Sequence, residues 1–83
     1  MSHINEQIQV GAVFGRGSLI KPVWFIWKKK KYSLKEITYT WKSGEGKTVL
    51  YHFSVTDGAS LYHIAYNPER MIWKICAIEM GER

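Results

Sequence analysis

Eighty-three residues hold one domain and one core, with no room for a second. The apolar fraction of 46% suits a globular chain, and four Trp, five Tyr and three Phe can fill a thin core without disulfides. Twelve Lys and Arg against seven Asp and Glu give a formal charge of +5, a field that attracts polyanions such as nucleic acid. These numbers exclude a disordered chain, a disulfide scaffold and a membrane-spanning helix. The lone Cys76 can form no internal bridge and reads as a buried apolar cysteine in a reducing compartment. The longest apolar run, Pro22 to Trp27, is strand-length and far short of the ~20 residues that a spanning helix needs. With no basic-then-apolar leader pattern at the N-terminus, a cytoplasmic location is expected, and no membrane partner.

Along the chain, apolar residues recur with period two, the pattern of strands. Residues 1–7 are expected to be a flexible N-terminus, followed by a first strand from Ile8 to Phe14 and a turn at Gly15-Arg16-Gly17-Ser18. Pro22 opens Val23 to Trp27, in the position where a strand tolerates proline. After the run Lys28-Lys29-Lys30-Lys31 comes Tyr32 to Lys42, and after Gly44-Glu45-Gly46 comes Thr48 to Thr56. Asp57-Gly58 is a strong hairpin signal, leading into Ala59 to Tyr66. Asn67-Pro68-Glu69-Arg70 forms a last turn before Met71 to Met80.

A two-residue turn at Asp57-Gly58 pairs Phe53 with Tyr62 and Tyr51 with Ile64. Val49, Tyr51, Phe53, Val55, Tyr62, Ile64 and Tyr66 then share the core face, while Leu50, His52, Ser54, Leu61, His63 and Ala65 share the other. A four-residue turn at Asn67 to Arg70 sets Tyr66 against Met71, Ile64 against Trp73 and Tyr62 against Ile75. In the third strand, Tyr32 and Leu34 lie on even positions but Ile37, Tyr39 and Trp41 on odd ones. That slip predicts a bulge at Lys35-Glu36, and a bent strand helps a sheet curl. The fold class expected is all-β: a single domain over 1–83, built as a curled antiparallel sheet or small partly open barrel of about six strands.

The order Trp27-x4-Tyr32-x-Leu34-x-x-Ile37-x3-Trp41, introduced by Pro22-Val23-x-Phe25, resembles a family of small uncharacterised bacterial β-domains. Tyr51-x-Phe53-x-Val55 before Asp57-Gly58, and Trp73 in the last strand, extend the resemblance over about residues 22 to 80. Such domains occur alone or appended to proteins resembling Y-family DNA polymerases, which implies a setting in nucleic-acid transactions but no activity to transfer. This chain carries Lys29 where that pattern has Gly. Because lysine disfavours positive φ, a longer turn is expected here.

Catalysis has little support. The serines sit in no nucleophile-elbow setting, Gly15-Arg16-Gly17 matches no phosphate loop, and the acids are scattered. His52 and His63 fall opposite each other on the face away from the core, with Lys74 opposing His63. Two histidines are two ligands short of a structural zinc site, so no metal, cofactor, catalytic residue or small-molecule ligand is predicted. A non-catalytic binding module fits better. Its candidate contact residues are Trp24, Lys28, Lys29, Lys30, Lys31, Lys42, Lys47, His52, His63 and Lys74. Trp24 is the ring whose phase points outward, to serve as a stacking platform, a second core layer or a dimer contact. The first reading is protein interaction or self-association through an exposed strand edge. The alternative is nucleic-acid binding on a basic, aromatic-flanked surface.

Overall fold

The period-two pattern becomes seven strands in the computed structural model, which describes residues 2–17 and 20–80. They are β1 (Ser2–Phe14), β2 (Ile20–Trp27), β3 (Lys30–Ser33), β4 (Glu36–Glu45), β5 (Thr48–Thr56), β6 (Ser60–Asn67) and β7 (Ile72–Met80). All pair antiparallel in one curled sheet of order β3-β2-β1-β7-β6-β5-β4, the all-β class expected. No helix among the described residues is long and apolar enough to cross a membrane. Ser18, the end of the expected first turn, lies outside the described residues.

Two strands bend the sheet by serving both of its halves. β1 pairs with β7 over Ser2 to Ile8 and with β2 over Gln9 to Phe14. Residues 2–7 are therefore part of a ladder and not the flexible N-terminus expected; a bulge between His3 and Glu6, with Asn5 at φ 63°, interrupts its pairing with β7. The second bend lies at Leu34-Lys35. The Leu34 N–H donates to Val23 O at 3.0 Å, continuing the pairing with β2, and the Lys35 N–H donates to Thr56 O at 2.8 Å, beginning the pairing with β5. The phase slip read at Lys35-Glu36 is thus a change of partner strand, which divides the expected third strand into β3 and β4. The bulge itself comes three residues later, at Thr38, whose hydroxyl donates to Ser54 O at 3.1 Å.

Inside the curl, Phe25, Val55, Ile64 and Ile75 are fully buried, and Ile8, Phe53, Tyr62, Tyr66 and Trp73 nearly so. Each side chain of this size stabilises by roughly 1.5–3 kcal/mol on burial. Rings pack the interior: Phe25 stacks on its neighbour Tyr32 at 4.9 Å and meets Tyr62 of the other half edge-on at 5.1 Å, and Tyr66 lies 4.7 Å from its cross-strand partner Trp73. The expected core face is the observed one except at its upper margin, where Val49 is 45% exposed.

Next to both hairpin loops the registers differ from expectation by two residues, so faces are kept there and partners change. Asp57 Oδ1 accepts the N–H groups of Ala59 and Ser60, both at 2.9 Å, and Oδ2 accepts the Tyr62 hydroxyl at 2.8 Å. That carboxylate organises a four-residue loop, so Phe53 faces Ile64 and Tyr51 faces Tyr66. Asn67 Oδ1 likewise accepts the N–H groups of Glu69 and Arg70, moving the last loop to Pro68–Met71 and setting Tyr66 against Trp73. Met71 consequently stands outside the core at 75% exposure, with φ 57°. A further shift between His63 and Ile64 leaves Cys76 unpaired, Ile64 opposite Ile75 and Lys74 opposite Ala65, not His63.

The β2–β3 connection is tighter than expected. Trp27 pairs with Lys30, so Lys28 and Lys29 alone make the turn, at φ 54° and 67°. Left-handed backbone costs a non-glycine residue about 1–2 kcal/mol. Replacing Lys28→Asn and Lys29→Gly together should therefore raise stability by about 1–3 kcal/mol, read as a higher urea midpoint at unchanged slope. A midpoint at or below that of the parent would show that the turn is not strained.

Candidate functional site

The ten contact residues expected from sequence separate into three places. At the β2–β3 end, the Lys28 ammonium lies 5.0 Å from the Trp27 ring, Lys30 5.2 Å from Tyr32 and Lys31 4.9 Å from Trp24, with Lys29 at the turn. Three of the four cations thus rest on the chain's own rings, contacts worth about 0.5–1 kcal/mol each at exposed sites. Trp24 does point away from the core, but it is half-buried over Gly11, where any Cβ would overlap its indole. It is a packing ring, not an open platform. Lys47 belongs to the turn at the opposite end, and Lys42 faces inward with its ammonium 5.5 Å from Tyr51. His52, His63 and Lys74 share the outer face of β5–β7.

It is around the two histidines that the structure builds a cluster. Beyond the Thr38 bulge, alternation sends Tyr39, Trp41 and Ser43 to the outer face, opposite Ser54, His52 and Leu50. Ser54 in turn faces His63, so the histidines are diagonal neighbours and not the directly opposed pair expected. His52 Nδ1 lies 2.8 Å from His63 Nε2, and His52 Nε2 lies 2.7 Å from Ser43 Oγ. Trp41 stacks on His52 at 5.0 Å and 5° and leans on His63 at 4.9 Å, while Tyr39 continues the array 5.6 Å from Trp41. Tyr39 is 66% exposed and Trp41 36%.

Burial lowers the pKa of both histidines from the ordinary 6.5, and His52 lowers that of His63 further. Hydrogen bonding explains why they charge reluctantly. A first proton can be accommodated by His52 donating to both neighbours, but a second sets two N–H donors against each other. The Cys76 thiol on β7 is pushed up by burial, with Lys74 opposing weakly. Among the described residues, no group of three or more His, Cys, Asp or Glu stands together to hold a metal.

Two hollows border the cluster. An open cleft of about 300 Å³ runs between the free edge of β4 and the start of β2, touched by Ile20, Thr40, Trp41, Lys42 and Tyr51. On the other side of His52, a hollow of about 200 Å³ is lined by Leu50, Ala65, Lys74 and Cys76. Tyr39, Trp41 and Ser43 were missed as site residues. Counting back from the Gly46-Lys47 turn, which pairs Glu45 with Thr48, would have set Trp41 against His52. No family model, curated protein or solved structure matches this chain.

The lowered pKa values carry a linkage. Below pH 6.5 the unfolded histidines bind protons that the folded pair resists, so this stabilisation is complete above 6.5 and fades as pH falls towards the folded values. Urea midpoints at pH 7.5 and 5.5 should therefore differ more for the parent than for the double variant His52→Asn, His63→Asn. An equal drop in both proteins would remove the histidines from the pH dependence.

Proposed function

We propose that this domain is a non-catalytic binding module for single-stranded nucleic acid, which it takes on the outer face of β4–β6 and the cleft beside it. The observation that carries this reading is the pair of exposed rings Tyr39 and Trp41, backed by the half-buried His52, at the margin of a cleft bearing Lys42. Unpaired bases stack on such rings irrespective of sequence, and cations beside them meet the phosphates. Lys35 and Lys47 stand just beyond the two ends of β4, within a chain of net charge +5.

Two features weigh against the strand-addition reading. The free edge of β4 carries the Thr38 bulge and the inward-directed Lys42, both devices that discourage pairing with another strand. Catalysis is disfavoured by shape. Ser43, His52 and His63 follow the order of nucleophile, base and orienter, but on an outer sheet face and not in a water-excluding pocket.

The test is anisotropy with labelled single-stranded and duplex oligonucleotides across a salt series. Single strands should bind more tightly, with affinity falling linearly in log–log form as salt rises. Tyr39→Ala and Trp41→Ala should each weaken binding by about 5–150-fold, the equivalent of about 1–3 kcal/mol per stacked base. Affinity indifferent to salt or to both ring variants would overturn the reading. So would a dimer in a sedimentation concentration series that dissociates on Trp41→Ala, which would reassign the surface to self-association.

A further inference from the structure

The convergence of two imidazole nitrogens on the outer face has a use beyond nucleic-acid binding, and it does not rest on that reading. His52 and His63 come from adjacent strands of one ladder, so their spacing is set by sheet register and not by a mobile loop. Their facing atoms, Nδ1 and Nε2, are 2.8 Å apart. Metal–imidazole bonds of about 2.0–2.1 Å drawn from both atoms to one ion would enclose an angle of roughly 85–90°. A tetrahedral ion would require the nitrogens about 3.3 Å apart. The observed spacing therefore fits cis positions of a square-planar or octahedral ion, the geometries of copper(II) and nickel(II), better than zinc.

We propose that His52 Nδ1 and His63 Nε2 form a bidentate site for a late divalent transition-metal ion, copper(II) foremost, with solvent completing its coordination. Ser43 supplies the outer support. With its Oγ 2.7 Å from His52 Nε2, it accepts the ring proton there and leaves Nδ1 bare for the ion. In the resting pair His63 Nε2–H then donates to His52 Nδ1, and when the ion binds that proton moves through solvent to His63 Nδ1, so each ring keeps one N–H and none is lost from the neutral pair. Trp41, stacked on His52 and leaning on His63, fixes the ring planes and covers one side. Lys74, opposite Ala65 on the neighbouring strand, opposes binding of any cation by its charge.

The experiment uses the full chain carrying His3→Ala and Cys76→Ser, so that the N-terminal histidine and the thiol contribute nothing. Titration with copper(II) should bind one equivalent, quench tryptophan emission and give a paramagnetic-resonance spectrum of two equatorial imidazole nitrogens. Adding His63→Asn, or separately His52→Asn, should weaken binding at least tenfold with circular dichroism unchanged. Affinity retained in both histidine variants, or a spectrum with one imidazole or none, would overturn the proposal. Oligonucleotide binding can fail in the other assay without altering any of these readouts.

Discussion

The change of partner at Leu34-Lys35 decides the shape of everything around it. Within two residues the chain leaves the β2 ladder and enters the β5 ladder, through one backbone hydrogen bond on each side. Such bonds contribute about 0.5–1.5 kcal/mol each, too little to hold the crossing alone. Packing holds it. Tyr32 of β3 lies against Phe25 of β2 and Tyr62 of β6, while Leu34 and Ile37 pack against the same core on either side of the crossing. Because β3 ends there, the start of β2 keeps only β1 as a neighbour, and β4, bonded only to β5, rises on its open side. The cleft at Trp41 is the space between them.

That one-sided rise also explains why the ring and histidine cluster sits where it does. β4 is bonded on one side only, so side chains on its outer face have neighbours on β5 and open space beyond. Trp41 can lie flat on His52 and still be partly exposed. Had another strand covered that edge, the same rings would have been flanked on both sides. The histidines, one and two strands further in, are buried enough to resist protonation yet open enough to meet a ligand.

Faces were legible in the sequence where partners were not. Period two alone places Phe53, Val55, Tyr62, Ile64 and Ile75 inward and His52 and His63 outward, and a register error of two residues leaves that assignment intact. Partners depend on loop length, which here is set by the carboxylate of Asp57 and the amide of Asn67 capturing nearby N–H groups. Dipeptide turn signals do not encode that capture. The histidine pair was visible as a pair, but its diagonal contact follows from the same shifted register, and Ser43 joins it only because the Thr38 bulge resets the alternation of β4.

The lysine turn shows the core overruling local preference. Exposed ring contacts contribute about 0.5–1 kcal/mol each at Lys28, Lys30 and Lys31. They do not relieve the left-handed backbone of Lys28 and Lys29. The compensation lies in the pairing that the turn enforces. Trp27 opposite Lys30 sets Phe25 opposite Tyr32, and that stack lies inside the curl of the sheet. One more residue in the turn would slide Tyr32 off Phe25 and send it to the outer face, trading buried aromatic area for a relaxed backbone. A fully buried Phe25 and its stacked partner outweigh two strained lysines, so the tight turn persists without glycine.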